Sequence, residues 1–189
     1  MKPRRHAAVL ALLTVTASAW AHAPGTLSPG TPFEVADATI SRALYGSFVT
    51  GAEVFVVRMN FPTDFALPME LMVPHKESLR EHRPAYAFAC AGMPEPTAEE
   101  RAALPRPLPT GWGAFVDLGR VTPRPAFYES FTRRFFWTTG AVALRVPRGS
   151  CEVWIWSPQH TAGAFAWGGG VEERIDIGEA LDDWGTYAY

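Results

Sequence analysis

Prolines and glycines divide this chain into short segments along nearly its whole length. The 189 residues include 17 prolines and 16 glycines, and a proline interrupts backbone hydrogen bonding inside helices and strands. The segments between them are rich in β-branched and aromatic residues, which favour strands. Because many short strands separated by turns are typical of two packed sheets, we expect an all-β fold, either an antiparallel β-sandwich or a jelly roll.

The stretch 149–170 has the clearest strand pattern. Two sets of residues alternate along its first half: Cys151, Val153 and Ile155 against Glu152, Trp154 and Trp156. Alternating side chains point to opposite faces of a strand. Pro158 ends this strand, and the run 164–167 forms a second one, closed by the glycines 168–170. We expect the two strands to form a hairpin.

The other segments are shorter or less regular. Strands are predicted at 53–60, 65–73, 85–89, 114–118, 141–146 and 171–177. A proline-rich excursion at 92–113 contains one short helix, for which Thr97 is the predicted N-cap. The segment 127–137 carries aromatic residues throughout, so both a helix and a strand are open alternatives there.

The first residues have the composition of a secretory signal peptide. Lys2, Arg4 and Arg5 precede a short apolar run at 7–15, and small residues precede a cleavage site after Ala21 or Ala23. The run is shorter than the ~20 residues of a membrane span. We expect a signal helix at 1–21, one mature domain at 22–189, and a periplasmic or secreted protein without a transmembrane anchor after cleavage.

The charge balance argues against one class of partner. The chain has 17 basic and 19 acidic residues, and cleavage removes three of the basic ones and no acid. A nucleic-acid partner needs a basic surface, so none is expected. The acid-rich stretch 172–183 predicts a solvated acidic face, with a calcium site as the alternative.

Cys90 and Cys151 are the only cysteines. An even number of cysteines in an exported chain favours a disulfide between them. The alternative is two unrelated buried thiols, which behave as small core groups.

Two sets of residues are candidates for binding. An N-terminal His22 offers an amine and an imidazole, which suit Cu(II), with His75, His82 or His160 as the second ligand. Surface histidines without a metal are the alternative. The second set is an aromatic face formed by Trp154, Trp156 and Trp167, which would stack on a glycan or a protein partner. The alternative is that these rings belong to the core.

No catalytic pattern frames the serines or histidines, since neither G-x-S-x-G nor H-E-x-x-H occurs. We therefore expect no enzyme activity and no cofactor. The expected function is that of an exported accessory or binding protein for a protein or glycan partner in the cell envelope. A periplasmic copper-binding protein is the alternative.

Parts of the chain resemble a known family of exported β-sandwiches. The relevant segments are Leu44-Tyr45-Gly46, 53–57, 65–67, 71–73, and the hairpin residues Gly149, Val153, Ile155, Ser157, Gly163 and Phe165. They resemble the bacterial pre-peptidase C-terminal-like domain, although Cys151 and Trp167 replace an aromatic and a leucine of that pattern. The segment 74–145 has no counterpart. The resemblance implies a β-sandwich with a non-catalytic binding role.

Overall fold

The computed structural model of the protein describes residues 23–129 and 132–172. Within these ranges the chain forms strands, one short α-helix and one 3₁₀ turn at Glu77–Leu79. The strands are β1 (Ala23–Thr26), β2 (Phe33–Val35), β3 (Arg42–Phe48), β4 (Val54–Phe61), β5 (Phe65–Pro74), β6 (Ala85–Ala91), β7 (Trp112–Asp117), β8 (Ala126–Glu129), β9 (Arg134–Thr138), β10 (Val142–Val146), β11 (Gly149–Trp156) and β12 (Gly163–Gly169). The α-helix is α1 (Ala98–Ala103).

The strands form two sheets that pack face to face. The seven-stranded sheet has the order β1-β3-β12-β5-β9-β8, and β10 pairs with β5 beside β9. The five-stranded sheet has the order β2-β4-β11-β6-β7. The expected all-β fold is confirmed. Both sheets are mixed, however, because the N-terminal arm places β1 parallel to β3 and β2 parallel to β4. The prediction of purely antiparallel sheets is therefore wrong at these two strands.

The predicted hairpin at 149–170 is also wrong. β11 pairs with β4 and β6, whereas β12 pairs with β3 and β5 in the other sheet. The connection 157–162 crosses from one sheet to the other. A tight hairpin has a two-residue turn, and this connection of six residues is longer than that. Both strands are buried on both faces, which suits a central strand with a partner on each side.

The inner faces of the two sheets form the main core. Phe48, Phe55 and Phe165 meet there with ring centroids 5.0–5.1 Å apart. Phe165 lies opposite Gly46 in the β12–β3 register, and a Cβ built on Gly46 would lie 2.4 Å from the Phe165 ring. A glycine is therefore required where this ring covers the neighbouring strand.

The proline-rich excursion connects β6 to β7 and contains the predicted helix. Thr97 caps α1 as predicted: its hydroxyl accepts a hydrogen bond from Glu100 N at 3.2 Å, and Glu100 Oε2 accepts one from Thr97 N at 2.7 Å. This reciprocal pair is a capping box. Leu104 and Leu108 then pack on the outer face of the five-stranded sheet, so the excursion lies against that sheet.

Most of the remaining sequence predictions can be compared with the structure, and some fall on residues that it does not describe. The strands predicted near 53–60, 65–73, 85–89, 114–118 and 141–146 are confirmed as β4, β5, β6, β7 and β10. The ambiguous segment 127–137 contains two strands, β8 and β9. The signal segment 1–21, His22 and nearly all of the strand predicted at 171–177 lie outside the described residues. Over the described part of the chain, no helix has the length and apolar character that crossing a membrane requires.

Candidate functional site

The three tryptophans of the predicted aromatic face lie in two separate clusters. Trp154 and Trp156 project from the outer face of the five-stranded sheet, beside the small residues Ala87 and Ala85 of β6. Trp167 projects into the core between the sheets. Each side chain has at most 5% of its surface exposed. The structure does not bring the rings together on an exposed face, and it places all three in the interior, which was the alternative interpretation.

Trp154 is held under the excursion by charged groups. The Arg106 guanidinium lies 4.3 Å from the centre of the Trp154 ring and also pairs with Glu152. Glu152 accepts hydrogen bonds from Trp154 Nε1 at 2.7 Å and from Arg58 Nε at 3.0 Å. Burial opposes ionisation of Glu152, but these hydrogen bonds outweigh it and keep the pKa of its carboxyl below the usual value. The cluster therefore fastens 92–111 to the sheet.

Cys90 and Cys151 lie directly opposite each other on β6 and β11. Both are buried, and both are free thiols in this structure. A hydrogen bond between the two thiols lowers the pKa of Cys90 and raises that of Cys151. The expected neighbourhood of the two cysteines is thus present, although the sulfur atoms are not joined.

The three histidines proposed as second copper ligands have different surroundings. His82 is buried, with its Nδ1 2.8 Å from Thr161 Oγ1, and burial followed by the Arg124 charge lowers its pKa to about 4. The His75 ring lies 4.4 Å from that of Trp137, and His160 is exposed. Within 23–129 and 132–172, no group of three or more potential ligand residues could hold a metal. Copper binding through His22 stays a prediction, since His22 is not described.

The outer face of the seven-stranded sheet carries a pocket of about 360 Å³. Small residues line it on the sheet side: Ala43 on β3, and Ala166 and Gly168 on β12. Gly168 lies opposite Ala43 in register, and a Cβ built on Gly168 would meet its nearest neighbour, a Met72 methyl, only at 3.6 Å. Adjacent small side chains on two central strands thus leave an open volume above the sheet.

Apolar side chains form the sides of this pocket. Met72 on β5 and Phe136 on β9 belong to one buried cluster with the alanines beneath them, and Phe127 on β8 lies opposite Phe136. An apolar concavity of this kind is the usual form of a binding site. We therefore take this pocket as the first part of the candidate site.

Two carboxylates line the pocket, and both have partners within the chain. Glu70 Oε2 accepts a hydrogen bond from Thr138 Oγ1 at 2.6 Å. Glu129 Oε2 accepts one from Thr132 N at 2.5 Å. One oxygen of each carboxylate is engaged in this way, and most of the remaining lining is apolar, so the contacts that the pocket offers to a ligand are mainly apolar.

The β8–β9 hairpin carries exposed aromatic side chains on both of its faces. Phe127 lies on the pocket side with Phe136, whereas Tyr128 and Phe135 form the next cross-strand pair, on the opposite face. Phe127, Tyr128 and Phe135 expose 39%, 49% and 57% of their surface, and the rings of Tyr128 and Phe135 lie 5.0 Å apart. β8 is the last strand in the sheet order, so no strand of the described ranges pairs with its outer edge. Exposed aromatic side chains at a sheet edge are typical of interaction surfaces.

Sequence reasoning missed this site and selected a buried set of aromatics instead. The signal was present in 127–137, where aromatic residues occupy both alternating sets. Whether each face of such a strand is buried depends on what packs above and below it in the fold. The sequence alone does not say which faces the rest of the chain covers.

Comparisons with known proteins do not place the chain in a family. No family model matches it, and a search of curated proteins found no similar sequence. The resemblance to the pre-peptidase C-terminal-like domain therefore stays a prediction.

Proposed function

We propose that this protein is an exported, non-enzymatic binding protein that recognises a protein partner in the cell envelope. The observation that carries the proposal is the apolar pocket beside the β8–β9 hairpin, an edge hairpin that carries exposed aromatic side chains. An apolar side chain of the partner fills the pocket, and neighbouring residues of the partner contact the exposed aromatic side chains of the hairpin. Buried anchors surrounded by aromatic contacts are typical of protein interfaces.

The lining favours a protein over a glycan. A sugar presents many hydroxyl groups, and its binding site needs unengaged donors and acceptors. Glu70 and Glu129 accept hydrogen bonds from the chain itself, and Met72, Phe127 and Phe136 offer no polar atoms. This chemistry supports an apolar protein segment as the ligand.

The edge of β8 supports a specific binding mode. An extended segment of the partner adds a strand to this edge, with main-chain hydrogen bonds supplying affinity. Alternate side chains of an added strand point to opposite faces. One set therefore enters the pocket beside Phe127 while the other contacts Tyr128 and Phe135.

Export is part of the proposal, as are the jelly-roll arrangement and the disulfide. Neighbouring antiparallel residues have Cα atoms about 4.5–5.5 Å apart, within the range that a disulfide spans. The S–H bonds of Cys90 and Cys151 break, a thiol oxidant of the envelope takes up the two electrons and two protons, and a bond forms between the two sulfur atoms. Peptide mapping by mass spectrometry without reduction should find Cys90 linked to Cys151 in exported protein. Two alkylated cysteines would contradict this bond.

Photo-cross-linking in the native envelope tests the interaction. We expect p-benzoylphenylalanine in place of Phe135 to give an adduct with a discrete partner protein, whereas the same group in place of the exposed Val49 gives none. Gly168→Leu, which fills the pocket, should reduce the Phe135 adduct at least tenfold. Absence of an adduct at Phe135, or equal adducts at Val49, would reject the proposed surface.

A further inference from the structure

We propose that the five-stranded sheet carries a second binding site, which takes a neutral sugar unit of a glycan. The site is a polar pocket of about 400 Å³, lined by residues of β2, β4, β7 and β11. Its size lies within the range of about 300–1,000 Å³ that is usual for small-ligand sites. The inference goes beyond the proposed function, because this polar pocket and the apolar pocket lie on different sheets.

Strand register places three charged side chains side by side at the polar pocket. Arg58 of β4 lies opposite Glu34 of β2 on one side and opposite Glu152 of β11 on the other. Arg58 Nη1 donates a hydrogen bond to Glu34 Oε1 at 3.3 Å, and Arg58 Nε donates one to Glu152 Oε1 at 3.0 Å. Arg106 of the excursion also pairs with Glu152. Two carboxylates thus meet two guanidinium groups, and this balance of charges favours a neutral ligand over an ion.

The next residues on the same face of β4 and β11 are polar and uncharged. Asn60 lies opposite Ser150 in register, and Ser150 Oγ donates a hydrogen bond to Asn60 Oδ1 at 3.4 Å. Both residues are exposed. The excursion that covers Trp154 therefore leaves this end of the outer face accessible to a ligand.

Several polar atoms of the pocket remain available to a ligand. Among the described residues, Arg58 Nη2 and Asn60 Nδ2 have no hydrogen-bond acceptor, and Glu34 Oε2 has no donor. Ser150 Oγ donates to Asn60 and can still accept a hydrogen bond. A sugar hydroxyl both donates and accepts, so it can pair with either kind of group. These unengaged donors and acceptors are what a sugar-binding site needs.

Trp112 supplies the apolar part of the pocket. It shares the outer face of β7 with Ala114 and packs against the cluster that contains Trp154. Its register partner on β6 is the small residue Ala91, which leaves space beside the indole ring. A sugar ring has C–H groups on a face and hydroxyl groups around its edge, so the indole can cover the face while the polar side chains bind the edge.

Saturation-transfer difference NMR on the purified full-length chain tests this inference. The probes are the neutral disaccharides maltose, cellobiose, lactose, mannobiose and diacetylchitobiose. We expect saturation transfer to at least one of them, strongest at the C–H protons of the ring that faces Trp112. Trp112→Leu, which removes the indole and keeps an apolar side chain, should abolish this transfer.

An exposed amide allows a matched pair of variants. Asn60→Ala removes a donor of the pocket and should weaken the binding, measured by titration, at least tenfold. Because Asn60 is exposed, this variant should unfold at the wild-type temperature, which separates lost binding from lost folding. Gln159→Ala removes an exposed amide from the connection that follows the far end of β11, and it should leave the binding unchanged.

The outcomes also separate the sugar site from the proposed function. Gly168→Leu, which fills the apolar pocket on the other sheet, should leave sugar binding unchanged. Absence of transfer to every disaccharide, equal binding by Asn60→Ala and the wild-type protein, or a tenfold loss in either control would overturn the sugar site. None of these results alters the Phe135 adduct with a protein partner, so each proposal can fail while the other stands.

Discussion

The two outer faces of the sandwich differ in how the space above their small central residues is used. On each face, small residues of central strands leave space above the sheet: Ala85 and Ala87 on one, Ala166 and Gly168 on the other. The five-stranded sheet fills this space with tryptophan rings and covers them with the excursion. On the seven-stranded sheet no residue of the described ranges fills this space, which forms the pocket. The comparison teaches that an aromatic strand segment is structural where the chain covers it, and available for binding where it does not.

The largest expected effect contrasts one aromatic residue from each face. Trp154→Ala should destabilise the protein by about 3–5 kcal/mol, because it leaves a cavity under the excursion. Phe135→Ala should change the free energy of unfolding by less than about 0.5 kcal/mol, because its ring is mostly exposed. Chemical denaturation of the two variants measures the difference. Similar losses for both would show that the hairpin aromatics are also structural.

His82 lies at the end of the sandwich where the chain crosses between the two sheets, in contact with Thr161. Its protonation should make the stability of the fold depend on pH. Burial holds its pKa at about 4 in the folded protein, against about 6.5 when it is unfolded. Between these two pKa values the unfolded state binds more protons than the folded state. The free energy of unfolding is therefore highest above pH 6.5 and decreases as the pH falls towards 4. The loss should reach up to about 3 kcal/mol.

Urea unfolding at a series of pH values measures this dependence. His82→Asn, whose side chain does not titrate, should flatten the curve between pH 4 and 6.5. An unchanged slope in that variant would assign the acid sensitivity to other groups.

Gly168 and Gly169 of β12 allow a direct comparison between a position with free space and a position that a ring already fills. A Cβ on Gly169 would lie 2.4 Å from the Trp167 ring, so Gly169→Ala should cost about 1–3 kcal/mol. Gly168 faces the pocket, and Gly168→Ala should be neutral or stabilise the protein by up to about 1 kcal/mol, since it restricts the unfolded chain. Thermal unfolding of the pair gives the comparison. Equal destabilisation would mean that the pocket is closed.

The smallest effect concerns how the excursion is fastened. Arg106→Ala removes the cation–π contact with Trp154 and the ion pair with Glu152, and should cost about 1 kcal/mol. Limited proteolysis should then cleave within 92–111 faster than in the wild-type protein. Arg101→Ala is the matched control, because Arg101 pairs with Glu95 inside the excursion. If both variants were cleaved alike, the contacts of Arg106 would not be what holds this segment.

Local sequence patterns predicted most of the strands and the face to which each side chain points. They did not predict which strands pair with each other. The alternation of Cys151, Val153 and Ile155 correctly predicted a strand, and the structure places the face that they share in the core. Thr97 marked the start of α1. Strand pairing depends on residues far away in sequence: β11 lies between 54–61 and 85–90, not beside its neighbour β12.

The candidate site could not be predicted for the same reason. The pocket exists because Ala43 and Gly168 become neighbours through a register between strands more than a hundred residues apart. The burial of Trp154 likewise depends on where a distant excursion lies. Alternation assigns a side chain to a face, but it does not say what covers that face.

The placement of β11 and β12 has a consequence for when this protein can fold. β4 and β6 meet only through β11, and β3 and β5 only through β12. Until residues 149–169 are available, each sheet therefore consists of separate pieces. A chain synthesised from its N-terminus cannot complete either layer before β11 and β12 emerge. Until then the apolar inner faces of the partial sheets have no complete opposite layer to pack against, so the core between the sheets closes in one late step.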